Sequence, residues 1–165
     1  MGKLSRSGVF ESRFQIRVDY RLGFRGMLAA ARLHEVDPRI TEEQFPLLFT
    51  RGVGFLNFVL VYFEDNKLPP EVIEQYLSVP PREPARIEHI LALASAAPEI
   101  QRVFDIPALG ATWKRTWEDR KNPGKVYFRV LVPCLTKKQG RRVLALSELP
   151  LDSTRVKFAS VEPIA

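Results

Sequence analysis

Between Val126 and Cys134 the chain alternates with a period of two, and this constrains the fold more than any other stretch. Val126, Phe128, Val130, Val132 and Cys134 fall on one side. Lys125, Tyr127 and Arg129 fall on the other, which turns apolar in its turn at Leu131 and Leu135. Such alternation predicts a half-buried strand whose outer face is basic and aromatic near its start. Asn122-Pro123-Gly124 marks a turn before it, because proline presets φ and glycine accepts a positive φ. Thr136 to Arg141 reads as a hairpin connection with Gly140 at its bend, and Val143 to Leu146 as the returning strand. A chain with this centre is built on antiparallel pairing.

A second alternation lies at the other end. In residues 9–20, Phe10, Phe14, Ile16, Val18 and Tyr20 share one face, and Arg13, Gln15, Arg17 and Asp19 the other. Residues 154–161 repeat the pattern, with Val156 and Phe158 inward and Arg155 and Lys157 outward. Between the ends the signals are helical. Residues 24–36 are rich in Ala and Leu and stop at Asp37-Pro38. Thr41 to Gln44 has the form of a capping box, predicting a short helix through Phe49 that Pro46 limits. Residues 55–63, FLNFVLVYF, fit a helix or a strand buried on both sides, and the charged, proline-containing exit favours a helix. Pro70 to Leu77, residues 85–96 and Pro98 to Phe104 complete the helical set, with a stiff Pro-rich linker at 79–84. Residues 110–118 predict a further helix that places Trp113 and Trp117, four apart, on one face.

The expected architecture is a single α+β domain over residues 1–165. An antiparallel sheet forms from the N-terminal strand and the C-terminal strands, and the helical middle segment, residues 24–109, covers its apolar face. No run approaches the roughly 18 apolar residues of a membrane span. Cys134 is the single cysteine, so no internal disulfide forms. With no signal peptide at the start, these features predict a soluble cytoplasmic protein without a membrane partner.

Charge is segregated along the chain. Residues 1–36 carry a net +4, residues 37–109 a net −5 and residues 110–165 a net +7, within a total of +6. That pattern produces an oriented field, and a preponderance of Arg favours bidentate contacts with phosphate or carboxylate. The Lys137, Lys138, Arg141 and Arg142 cluster has no acid within five residues on either side. If the terminal strands share one sheet, Arg13, Arg17, Lys125, Tyr127, Arg129, Arg155 and Lys157 line one exposed face. Trp113 and Trp117 beside Lys114 and Arg115 offer either a core anchor or a stacking platform for unpaired bases.

Together these residues predict a nucleic-acid-binding protein, for DNA or RNA, that works mainly through phosphates with weak sequence preference. The alternative is an interaction module that docks on an acidic protein partner or on a second copy of itself. Catalysis has little support. The chain has no phosphate loop, dinucleotide fingerprint or nucleophile elbow, and its two His and one Cys are scattered; no cofactor is expected. The one enzymatic alternative is a metal-dependent nuclease built on Glu64-Asp65-Asn66-Lys67. The second of two helices about the Pro-rich turn is too weakly basic for a helix-turn-helix. The Val126 strand also lacks the small residue between aromatics that an RNA-recognition strand carries.

Overall fold

The computed structural model describes residues 8–48, 51–64, 68–151 and 154–164. The basic lead at the N-terminus, the end of the Thr41 segment at Phe49 and Asp65 of the nuclease alternative lie outside these residues. The fold is α+β, as the alternating patterns require. Its elements in order are β1 (Val9–Asp19), α1 (Gly23–Ala31), β2 (Glu35–Val36), β3 (Val53–Phe63), α2 (Pro70–Leu77), β4 (Glu83–Pro84) and α3 (Ile87–Ala96). These are followed by α4 (Pro98–Val103), β5 (Ile106–Pro107), β6 (Trp113–Glu118), β7 (Val126–Lys138), β8 (Arg141–Glu148) and β9 (Phe158–Pro163).

The strands divide between two sheets. One has the order β1-β3-β9-β4; the other runs β2-β8-β7-β5, with β6 also paired to β7. The N-terminal strand thus joins the final strand's sheet, while the hairpin builds a second sheet. Pairing is antiparallel except for β2, which lies parallel to β8. Between the sheets sits α3, whose residues Ile87 to Ala94 are all buried as it packs on α1, β1 and β7. The helix is mostly apolar around its circumference, as that central position requires, although Glu88 and His89 are buried with it. Among the described residues no helix is long and apolar enough to cross a membrane.

Residues 55–63 form the centre of β3, not a helix. Phe58 and Leu60 face α3, whereas Val59, Val61 and Phe63 pack with Ile73 and Leu77 of α2. Burial on both faces makes the run continuously apolar and erases the period of two. Residues 110–118 are likewise a strand in place of the expected helix, because β6 pairs along the first half of β7. Helix α1 stops five residues early. Arg32 takes a left-handed conformation (φ 49), and the chain turns into β2, where His34 N–H donates to the Arg142 carbonyl at 2.9 Å. At Thr41 the hydroxyl does accept from Gln44 N–H at 3.2 Å, but no helix follows, since Phe45 is drawn into the core and Pro46 lacks the next donor. The linker at 79–84 ends as strand β4 on β9, and β9 begins at Phe158, four residues later than expected.

Candidate nucleic-acid interface

Strand β7 is longer than the sheet that holds it. Its second half, from Leu131 to Lys138, pairs with β8; its first half, from Val126 to Val130, pairs with β6 and not with β8. The first half of β7, β6 and their connection therefore project as a two-stranded ribbon. Every residue from Lys114 to Arg129 is exposed except Asp119, which is half-buried. At the base, Trp113 is half-buried, with its ring edge-on to Phe45 at 6.5 Å and 88°. That ring is the core anchor, while Trp117, in open solvent, is not.

The turn at the ribbon's end is tied by its own two acids. Glu118 Oε1 accepts from Gly124 N–H at 2.6 Å, where Gly124 has a φ of 88 that disfavours any side chain. Asp119 accepts from Lys121 N–H and from Asn122 Nδ2–H, both at 2.9 Å. The Asn122 bond is the larger influence holding the Asp119 carboxyl below the usual range. The acids thus brace the turn. Lys114, Arg115, Arg120, Lys121 and Lys125 form no ion pair with any described residue.

One ribbon face is a row of cations and rings. Trp117 lies opposite Tyr127 in register, and the rings stack at 5.8 Å and 22°. Arg115 lies opposite Arg129, two like charges on facing positions, a placement that costs stability unless something anionic joins them. The Arg115 guanidinium sits 5.2 Å over Trp113, Arg129 sits 5.2 Å over Trp117, and the Lys125 ammonium sits 5.1 Å over Tyr127. Arg129 also pairs with Glu148 at 3.5 Å, both groups well exposed. On the opposite face Lys114 lies 4.4 Å over Phe128. Val126 and Phe128 are 63% and 60% exposed, although their alternation with Val130 and Val132 had assigned them to the core. On that side of β7, Val130 is half-buried and burial is complete only from Val132 onwards, so Phe128 is the binding candidate that the alternation concealed.

The remaining candidates do not gather around the ribbon. Arg13, in the other sheet, bonds Glu162 at 3.1 Å and Glu11 at 3.3 Å, and Arg17 pairs with Asp19 at 3.3 Å. Arg155 pairs with Asp105 at 3.8 Å, and the Lys157 ammonium sits 4.0 Å over Phe104. Neither lies within a strand. The single basic face expected to join both ends of the chain is therefore divided between two sheets. Lys137, Lys138 and Arg141 do form a basic hairpin tip, but it closes the far end of β7. At about 3.3 Å per residue, eight residues of strand put it roughly 26 Å from Arg129.

Arg142 is a correction of another kind. It is 8% exposed, and its Nη2 donates to the Ala94 carbonyl at 2.6 Å, its Nε to Gln101 at 3.2 Å and its Nη1 to the Arg32 carbonyl at 3.4 Å. It closes the carboxyl ends of α1 and α3 and is no part of the exposed tip. Among the described residues no three His, Cys, Asp or Glu side chains stand together as a metal site would require. No protein family, curated protein or solved structure matches the chain.

Proposed function

We propose that this protein binds nucleic acid and that the β6–β7 ribbon is its contact element. The observation carrying this reading is the Trp117–Tyr127 stack, flanked by Arg115, Arg129 and Lys125 on a ribbon surrounded by solvent. Arg115 and Lys125, which pair with no carboxylate among the described residues, gain most from an anionic ligand, and each phosphate neutralised releases a counterion. A two-stranded ribbon can enter a groove or lie along a single strand. Phosphate contacts carry no base information, so sequence preference is weak. The tip at Lys138 and Arg141 supplies a second, separate anchor for a ligand long enough to reach it.

A second reading has its own support. Exposed Val126 and Phe128 beside Lys114 would suit docking on an acidic protein with an apolar centre. Binding titrations against labelled single- and double-stranded DNA and RNA, at low and near-physiological salt, separate the two. The nucleic-acid reading predicts salt-sensitive binding that is largely lost in a folded Lys114→Gln, Arg115→Gln, Lys125→Gln variant. The Lys138→Gln, Arg141→Gln variant should retain most of it. A folded wild type that binds none of the four probes would overturn the reading in favour of the protein partner.

A further inference from the structure

We infer that the ligand is single-stranded, with unpaired bases stacking on Trp117, Tyr127 and Phe128; the inference rests on the nucleic-acid reading above. Phosphate binding alone needs cations, and it gives no reason for three large rings to stand in solvent. Trp117, Tyr127 and Phe128 are 43%, 37% and 60% exposed within one short ribbon. Exposed apolar area of this kind marks a contact surface.

The cations are arranged to match. Each ring has one close above it: Arg129 on Trp117, Lys125 on Tyr127 and Lys114 on Phe128, at 4.4 to 5.2 Å. In the free protein the cation shields the ring. When a base takes a ring face, the same cation is already within reach of the phosphate that follows. Stacking and charge neutralisation are thereby coupled residue by residue. A base needs an accessible π face for this, and in a duplex those faces are covered by neighbouring base pairs. Rings on both ribbon faces suit a flexible strand that wraps, more than a rigid duplex that meets one side.

The test uses the full chain and three probes: oligothymidylate about 20 nucleotides long (longer than one such site), the matching oligouridylate, and a duplex of equal length. Anisotropy titrations compare wild type with Trp117→Ala, Tyr127→Ala and Phe128→Ala. Trp117→Phe and Tyr127→Phe keep a ring and control for local unfolding. Each ring-to-alanine change should weaken single-strand binding by roughly 5- to 100-fold, with the phenylalanine variants near wild type and the weaker duplex binding unaltered. In a Trp113→Phe background, where Trp117 is the sole tryptophan, its emission should be quenched by the single strand and not by the duplex. The two single-stranded probes then show whether the 2′-hydroxyl is sensed. Equal affinity for single strand and duplex, or loss only when the ribbon cations are replaced, would overturn the stacking inference and leave the nucleic-acid reading standing. Binding to none of the probes would remove both.

Discussion

Arg141 and Arg142 are neighbours in sequence with opposite fates. Consecutive strand residues point to opposite faces, so one member of the pair had to turn inward. Arg141 stays on the tip, and Arg142 ties two helix ends through the Ala94 and Arg32 carbonyls. Replacing Arg142 with Ala leaves buried carbonyls without a donor and should cost about 2–4 kcal/mol, read as a lower urea midpoint. Folded Arg142→Ala protein should keep its nucleic-acid affinity. His89 carries a second prediction at this scale. Its Nδ1 accepts from Arg86 N–H at 3.0 Å, and burial pushes the imidazole down from 6.5 to about 4. The unfolded chain therefore takes up a proton that the folded chain refuses. Stability from His89 is complete above pH 6.5 and falls as pH drops towards 4, by roughly 3 kcal/mol in all. Denaturant titrations across that range should show the slope in wild type and a flatter line in His89→Gln. Glu11 acts lower on the scale, because the hydrogen bond from Arg82 holds its carboxyl at about 2. Its contribution is lost only as pH falls from 4.5 towards 2.

The elements legible in sequence were mostly those with one exposed side or a clear start signal. β1 and the β7–β8 hairpin show a period of two, α2 and α4 open on prolines, and α3, though buried throughout, repeats Ile87, Ile90, Leu91 and Ala94 at helical spacing; each lies close to where its signal put it. β3 was hidden because both its faces are buried, so its own residues do not distinguish a strand from a helix. β6 was hidden for a different reason. A spacing of four between Trp113 and Trp117 shares a face at either period, and only the partner strand decides between them. Phe128 was misplaced because alternation shows which residues share a side and says nothing of where along β7 the core ends. Gly110, which leads into β6, had no signal at all. A Cβ there would lie 2.5 Å from the Pro84 carbonyl oxygen, while its own N–H bonds the Ala85 carbonyl at 2.9 Å. Gly110→Ala should therefore cost about 2–4 kcal/mol on thermal or urea unfolding. The ribbon, held by pairing and little packing, is the element that should open first. Trypsin should cut at Arg120 or Lys121 before the Lys137–Arg141 tip, and a bound oligonucleotide should slow that cut.

Across the whole molecule, the charge segregation seen in the sequence becomes geometry, though not the single basic face it suggested. The N-terminal arginines Arg13 and Arg17 are used up in pairs with Glu11, Glu162 and Asp19. Among the described residues, Arg25, Arg32, Arg51 and Arg102 are also exposed without an ion pair, but they are scattered; the exposed unpaired cations are densest at the two ends of β7, with the ribbon at one and the tip at the other. Only the ribbon joins its charge to aromatic surface, which makes it the centre of the account. The most direct test is the salt dependence of oligothymidylate binding in wild type and in the Lys114→Gln, Arg115→Gln, Lys125→Gln variant. For a single strand, each lost phosphate contact should reduce the slope of log affinity against log salt by about 0.7, so the variant should be shallower by roughly 2. A variant with the wild-type slope and affinity would contradict the assignment of phosphate contacts to the ribbon.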